Sequence, residues 1–184
     1  MADRLVAHGG QLTVAGGEER YILIPARAYA AIIDAMRSLV GDMAAGPLYY
    51  LGKKIGRGLV EEMERLLAGR SSLEDVIREY ARYLGQLGFG RVEVLELRGD
   101  YAKLRLVNPP SMVGGVARSI GGNGSSGVCH LERGMLAAVL DAMTGAPHMA
   151  REVGHGVEPE PYCLVEVAPI RVARAAAVRA AISA

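Results

Sequence analysis

The sequence predicts an α+β domain in which an antiparallel sheet packs against several helices. Three observations support this fold class: a clear hairpin pattern in mid-chain, helical periodicity on both sides of it, and a second pair of strand patterns near the C-terminus. Strands and helices come in separate runs, which favours an antiparallel sheet. With 184 residues, 51% of them hydrophobic and 22% charged, the chain is long enough for one domain with a substantial core.

The first part of the chain predicts two short strands followed by two helices. The strands lie within residues 11–25, around a turn at Gly16-Gly17, and the second is expected at residues 21–24. An amphipathic helix is expected from residue 26 to about 43, and a second from about 48 to 67. Residues 1–45 are therefore expected to belong to the same fold as the rest.

Three glycines mark the second predicted helix. Gly52 and Gly56 stand four residues apart on one face, with Gly58 near by. Glycine destabilises a helix, so its repeated use predicts that a neighbouring backbone approaches closely there.

A third helix and the clearest strand signal follow. Ser71 and Ser72 are typical of a helix start and predict a helix over residues 73–86. Alternating patterns at 92–97 and 101–107 flank Gly99-Asp100 and predict a tight hairpin. The alternation directs Ala102, Leu104 and Leu106 toward the core.

The last third of the chain begins with a segment rich in small residues. Residues 111–127 hold six glycines and four serines and predict a long flexible connection, either a mobile lid or a plain loop. A helix is expected over about 129–143, and two strands over about 148–153 and 162–170. The tail, residues 171–184, predicts a short helix.

The two cysteines of the chain both lie beside other metal-ligand residue types. Cys129 is followed by Glu152, His155 and Cys163, and thiolate, carboxylate and imidazole are the side-chain groups that bind Zn²⁺. A predicted hairpin brings the last three together, and the start of a helix supplies Cys129. The alternative is that both cysteines are buried apolar residues and the other two are ordinary loop residues.

The composition of the chain argues against a nucleic-acid-binding, membrane-spanning or secreted protein. A formal net charge of +1 argues against nucleic-acid binding, and the apolar runs are too short for a membrane span. The N-terminus lacks the pattern of a secretory signal, which predicts a cytoplasmic protein. In that compartment cysteines favour metal binding or chemistry over a disulfide.

Residues 46–168 resemble the 4-vinyl reductase domain family, small-molecule-binding modules related to the trafficking subunits of the TRAPP complex. The resemblance lies in the segments at 52–56, 87–90, 129–137, 140–145, 152–155 and 162–167. It implies a TRAPP-subunit-like fold for residues 46–170 with a zinc site near the C-terminal hairpin. Family members commonly use Cys, Glu, Cys and Cys as ligands. Cys129, Glu152 and Cys163 match the first, second and fourth positions, and His155 replaces the third.

The resemblance also implies an apolar cavity for an aromatic or lipid-like ligand. The pattern of the chain suggests five residues for its lining, although buried residues of these types more often serve the core. The candidates are Tyr49, Tyr80, Tyr83, Phe89 and Leu106.

The function expected from these features is a zinc-containing sensor or regulatory domain for a hydrophobic ligand. The chain is expected to act without an attached output domain and as a homodimer through its first two helices. Its signal is expected to pass to a separate protein or through the dimer contacts. One alternative is an accessory protein or reductase of tetrapyrrole metabolism, but no dinucleotide-binding fingerprint supports catalysis. The other is a non-enzymatic assembly scaffold. The sequence favours binding over catalysis and does not identify the ligand.

Overall fold

A computed structural model describes residues 5–14, 20–64, 72–115, 127–157 and 159–170. Within these ranges the chain forms four α-helices, two short 3₁₀ helices and two antiparallel sheets. The predicted α+β class with an antiparallel sheet is therefore confirmed.

A small N-terminal sheet contains three strands in the order β1-β2-β3, namely Leu5–His8, Gln11–Val14 and Arg20–Tyr21. The sequence pattern missed β1, which is four residues long and turns into β2 through two glycines of positive φ. The predicted strand at 21–24 is shorter than expected, because Ile22 to Ile24 leave the sheet and expose their side chains. The predicted turn at Gly16-Gly17 lies outside the described residues.

Two consecutive helices follow this sheet. Helix α1 spans Ala26–Val40, a 3₁₀ helix spans Gly41–Ala44, and α2 spans Ala45–Glu64. The first helix ends three residues earlier than predicted, because Gly41 takes a positive φ of 60° that breaks the helical path. The predicted end of the second helix, residues 65–67, lies outside the described residues.

The last helix of the described chain, α4, spans His130–Thr144. Helix α2 packs against α4 through two of its glycine residues. A Cβ atom on Gly52 would lie 1.9 Å from the Leu131 carbonyl oxygen, and one on Gly56 would lie 2.7 Å from the Met135 Cα. The predicted close backbone approach is confirmed at these two positions. This glycine face is therefore covered by the same chain and is not free for a dimer contact, whereas Gly58 faces open space.

Helix α3 spans Leu73–Gln86, as the capping pattern predicts. Ser72 is its N-cap, and its hydroxyl accepts a hydrogen bond from the Asp75 amide at 3.1 Å. One face of the helix is buried and includes Tyr80, Tyr83 and Leu84. This face closes one side of the core.

The main sheet has four antiparallel strands in the order β4-β5-β7-β6. Strand β4 spans Arg91–Arg98, β5 spans Tyr101–Val107, β6 spans His148–Gly156 and β7 spans Tyr162–Pro169. Strands β4 and β5 form one hairpin, and β6 and β7 form the other. Pairing of β5 with β7 joins the two hairpins and places Leu106 opposite Cys163. Ala102, Leu104 and Leu106 are buried, as the alternation predicts.

A second 3₁₀ helix, Pro110–Gly115, follows β5 directly. Ser111 is fully buried and Met112 is nearly so, so the predicted flexible connection begins as packed structure. Residues 116–126 and 171–184 lie outside the described ranges, and the predictions of a lid and of a tail helix fall there. Among the described residues, no helix is long and apolar enough to cross a membrane.

Candidate functional site

The two cysteines meet where α4 begins beside the centre of the main sheet. Cys129 immediately precedes α4 and Cys163 is the second residue of β7. Both are fully buried, and their sulfur atoms form a disulfide bond. The sequence favoured metal binding by these cysteines. In this structure the start of α4 lies beside β7, which brings the two sulfur atoms close enough to bond to each other.

Glu152 of β6 holds the start of α4 in place. Its Oε2 atom accepts hydrogen bonds from the amides of Val128 at 2.8 Å and Cys129 at 3.1 Å. A carboxylate at the N-terminus of a helix is favoured by the helix dipole. Gly127 leaves the necessary space, since a Cβ atom there would lie 2.7 Å from Oε2.

His155 lies beside Glu152, and in the pairing of β6 with β7 it stands opposite Cys163. Its Nδ1 atom is 2.9 Å from Glu152 Oε1, and its side chain is 42% exposed. Residues three apart on a regular strand point to opposite faces. The register shifts between Glu152 and Gly154, so Val153 is an extra residue that lets both side chains reach the same side.

Three of the four predicted zinc ligands form one cluster. All three ligand atoms lie within 4.8 Å of one another: the sulfur atoms of Cys129 and Cys163 and a carboxylate oxygen of Glu152. His155 hydrogen-bonds to the Glu152 member of this cluster. Two thiolates, a carboxylate and an imidazole fit the donor chemistry of zinc, provided that the thiols are reduced.

The second 3₁₀ helix covers the sulfur atoms, which the sequence pattern did not predict. The Ser111 hydroxyl is 3.6 Å from the Cys129 sulfur, and the thioether sulfur of Met112 is 3.7 Å from that of Cys163. These residues belong to the glycine- and serine-rich segment, where neither periodicity nor spacing distinguishes a buried serine from a loop serine. Only the packing identifies them.

A buried carboxyl group lies on the first turn of α4. Glu132 is 2% exposed, and its Oε1 atom accepts a hydrogen bond from the Ser111 amide at 3.1 Å. Burial raises the pKa of the carboxyl above its ordinary value of 4.5. Its Oε2 atom and the hydroxyl of Tyr29 on α1 are both buried, and the two side chains lie within hydrogen-bonding reach of each other. Burial, with a smaller contribution from Glu132, raises the pKa of Tyr29 far above its ordinary range.

Three of the five predicted ligand residues are core residues. Tyr80, Tyr83 and Leu106 are each 1–2% exposed, and the Tyr80 hydroxyl donates to the Met135 carbonyl at 3.1 Å. The Tyr83 hydroxyl donates to Glu62 at 2.6 Å. These hydroxyl groups are already used by the protein itself.

The remaining two predicted ligand residues are partly buried. The Tyr49 hydroxyl accepts a hydrogen bond from the Ala150 amide at 3.0 Å, which ties α2 to β6. Phe89 packs edge-on against Tyr29, with ring centroids 6.0 Å apart. Tyr80 and Tyr83 belong to the buried core cluster, and Tyr49 and Phe89 pack against it.

Surface clefts among the described residues include three with volumes of about 660, 740 and 430 Å³. The first lies between α2 and α4 and is lined by Lys53, Lys54 and Arg57 together with Glu61 and Asp141. None of the five predicted ligand residues lines any of the three. The charged walls of the first cleft do not suit an apolar ligand.

The sequence matches no protein-family model and no curated protein. The fold is similar to that of solved structures. The phenol-responsive sensory domain of the transcription activator PoxR, crystallised with phenol, has a TM-score of 0.73 and 20% identity, covering 100% of this chain and 93% of that one.

Two further structures are more distant. A vinyl-4-reductase family protein from Methanocaldococcus jannaschii has a TM-score of 0.50 and 19% identity, covering 82% of this chain and 84% of that one. A structure from work on heme distortion in the H-NOX family has a TM-score of 0.51 and 12% identity, covering 83% and 76%. The predicted resemblance to the 4-vinyl reductase domain is confirmed at the level of the fold.

Proposed function

We propose that this chain is a sensor domain that binds a small aromatic or hydrophobic molecule. The observation that carries the proposal is the fold similarity over the whole chain to a phenol-responsive sensory domain. The comparison with a vinyl-4-reductase family protein supports the same fold over a smaller part. Fold alone does not imply function, so the ligand must be tested directly.

We also propose that the reduced chain holds one zinc ion through Cys129, Glu152, His155 and Cys163. The clustering of both sulfurs with a carboxylate oxygen supports this ligand set. A disulfide and a zinc ion exclude each other here, because zinc binds thiolates. Bound zinc would supply structural stability by joining the start of α4 to the β6–β7 hairpin.

A homodimer and a separate output protein complete the proposal. The glycine face of α2 is buried against α4, so a dimer must use another surface of the first two helices. Helix α1 and the following turn present large apolar side chains to solvent. These are Ile32, Leu39, Val40 and Met43, which are 41–82% exposed.

Binding is tested by calorimetry on the reduced, purified protein with phenol, cresols, toluene and medium-chain fatty acids. The expected result is saturable binding of at least one compound, accompanied by a rise in melting temperature. Mass spectrometry of an organic extract would show whether a hydrophobic molecule is retained. No binding by any compound, with an empty protein held in a stable hetero-complex, would favour the scaffold alternative. Turnover of a vinyl tetrapyrrole would favour the reductase.

A further inference from the structure

We propose that the edge of β4 and the neighbouring face of α3 form a docking groove for an extended, acidic segment of a partner protein. The α3–β4 groove is the cleft of about 740 Å³, whose walls come from residues 78–86 of α3 and 91–94 of β4. The segment would join the four-stranded main sheet as a further strand beside β4. This inference does not depend on the small-molecule ligand, the zinc ion or the homodimer proposed above.

The first support is the free edge of β4. Among the described residues β4 pairs with β5 alone, so it is an edge strand of the main sheet. Residues 91–94 all line the groove. Since successive side chains of a strand point to opposite faces, four consecutive lining residues show that the edge of β4 itself borders the groove. In an antiparallel pair, alternate residues direct their N–H and C=O groups away from the partner, so the edge of β4 offers these groups to another strand.

The second support is the shape of the opposite wall. The α3 residues that line the groove stand at helical spacing, and their side chains are either small or charged. They are Arg78, Ala81, Arg82 and Gly85. A Cβ atom on Gly85 would lie 3.5 Å from the Gly90 carbonyl oxygen, so α3 and the start of β4 converge there and close one end of the groove. Ala81 and Gly85 leave room for the backbone of a docked strand.

The floor of the groove is apolar on the β4 side. Val92 and Val94 pair with the buried residues Leu106 and Leu104, so both valines lie on the inner face of the sheet. Both are partly buried and pack against the core. A docked strand would direct alternate side chains toward the same inner face. Small apolar residues at those positions suit this floor.

The third support is the charge of the groove. The ionisable residues that line it are three arginines and one glutamate, namely Arg78, Arg82, Arg91 and Glu93. The arginine side chains are 55–62% exposed, and each forms an ion pair with a glutamate. Exposed ion pairs contribute little to stability, so a carboxylate of a docked segment can join or replace these partners at small cost. Arginine-rich walls therefore favour an acidic segment.

The same features argue against a second copy of this chain as the occupant. The pairing of β4 with β5 shifts register at Leu95, and this bulge limits the regular edge beside the groove to residues 91–94. Pairing over so short an edge buries far less than the roughly 1,200–2,000 Å² of a stable protein interface. Symmetric pairing would also place two arginine-lined grooves side by side. A short peptide segment meets neither difficulty.

The test uses two fluorescent hexapeptides and the full chain. One peptide alternates glutamate with valine, and the other alternates lysine with valine. Fluorescence anisotropy should show saturable binding of the acidic peptide, about tenfold tighter than that of the lysine peptide. Methylation of every second backbone amide of the acidic peptide gives two patterns. One pattern should abolish binding and the other should retain it, because only alternate amides of an added strand bond to β4.

A pair of charge-matched variants tests the position of the groove. Arg82→Glu should weaken binding of the acidic peptide about fivefold and strengthen binding of the lysine peptide. Arg98→Glu is the control, because Arg98 is on β4, is 80% exposed and lies outside the groove. It changes the net charge equally and should leave both affinities unchanged. Circular dichroism checks that both variants fold.

NMR spectroscopy of the backbone amides separates the possible occupants. The acidic peptide should shift the amide signals of residues 91–94 and of the facing part of α3. Shifts confined to the cleft between α2 and α4, or equal weakening by Arg82→Glu and Arg98→Glu, would overturn the proposal. No binding of the acidic peptide at millimolar concentration would also overturn it. If the amide signals of residues 91–94 then depend on protein concentration, the occupant is a second copy of this chain.

Discussion

Gly52 of α2 lies directly against Gly134 of α4, and neither position has room for a side chain. A Cβ atom on Gly134 would lie 2.1 Å from the Tyr49 carbonyl oxygen, and one on Gly52 would lie 1.9 Å from that of Leu131. The two helices therefore touch backbone to backbone. This contact sets the distance between α2 and the helix that begins at the cysteine site.

Replacing Gly52 with Ala should destabilise the protein by about 2–3 kcal/mol, because the methyl group would overlap backbone atoms that cannot move aside easily. Gly58 is the matched control: it lies on the same helix in open space, so Gly58→Ala should stabilise by about 0.5–1 kcal/mol. Urea denaturation of both variants measures the two changes. Equal effects of the two substitutions would contradict the packing argument.

Protein purified under reducing conditions without chelators should contain about one zinc ion per chain by elemental analysis. Oxidation with diamide should release the zinc and form the Cys129–Cys163 disulfide. Cys163→Ser should lose the metal, and because metal binding is coupled to folding, the reduced variant should also lose stability. Met112→Leu is the control, because Met112 lies beside the Cys163 sulfur but is not a proposed ligand. This variant should keep the zinc. Reduced protein that holds no metal would refute the proposal.

The stability of the protein should carry a pH dependence that arises from Glu132. The folded-state pKa of this carboxyl is raised by burial, so the folded chain retains a proton that the unfolded chain releases above about pH 4.5. The stabilisation is present below that pH and is lost as the pH rises through the folded-state pKa. Glu132→Gln should therefore gain stability relative to the unmodified chain as the pH rises toward 8.

This comparison is made by urea denaturation at a series of pH values between 4 and 8, an interval chosen as roughly the one over which a buried carboxyl titrates. The difference between the two proteins is the informative quantity, since it cancels the contributions of other groups. A difference that stays constant across the series would show that Glu132 has no raised pKa.

The proposed homodimer should depend on the exposed apolar side chains of α1. Leu39 is 82% exposed, and Leu39→Glu should convert a dimer into a monomer by placing a charge in the interface. Leu95→Glu, at a 51% exposed leucine on β4, should leave the dimer intact. Light scattering at micromolar concentration measures the mass. A monomeric unmodified protein would refute the dimer, for which burial on the order of 1,500 Å² is expected.

Much of the fold could be predicted because its elements are local. The β4–β5 hairpin follows from alternation around Gly99-Asp100, and α3 follows from its cap at Ser72. The N-terminal sheet was only partly predicted, because strands of two to four residues are too short to show a period. Local patterns predict elements only where those elements are long enough to repeat.

The candidate site also combines residues that the sequence identified with features that only the tertiary structure shows. The sequence by itself determined which residues have ligand chemistry, and the predicted hairpin was sufficient to bring Glu152 and Cys163 to neighbouring strands. Tertiary structure decided the rest: the bulge at Val153 that turns His155 toward Glu152, and the burial of Glu132 opposite Tyr29. The reason is physical, because residue type and spacing specify local conformation, whereas burial and the partner of a polar atom depend on which distant segments pack together.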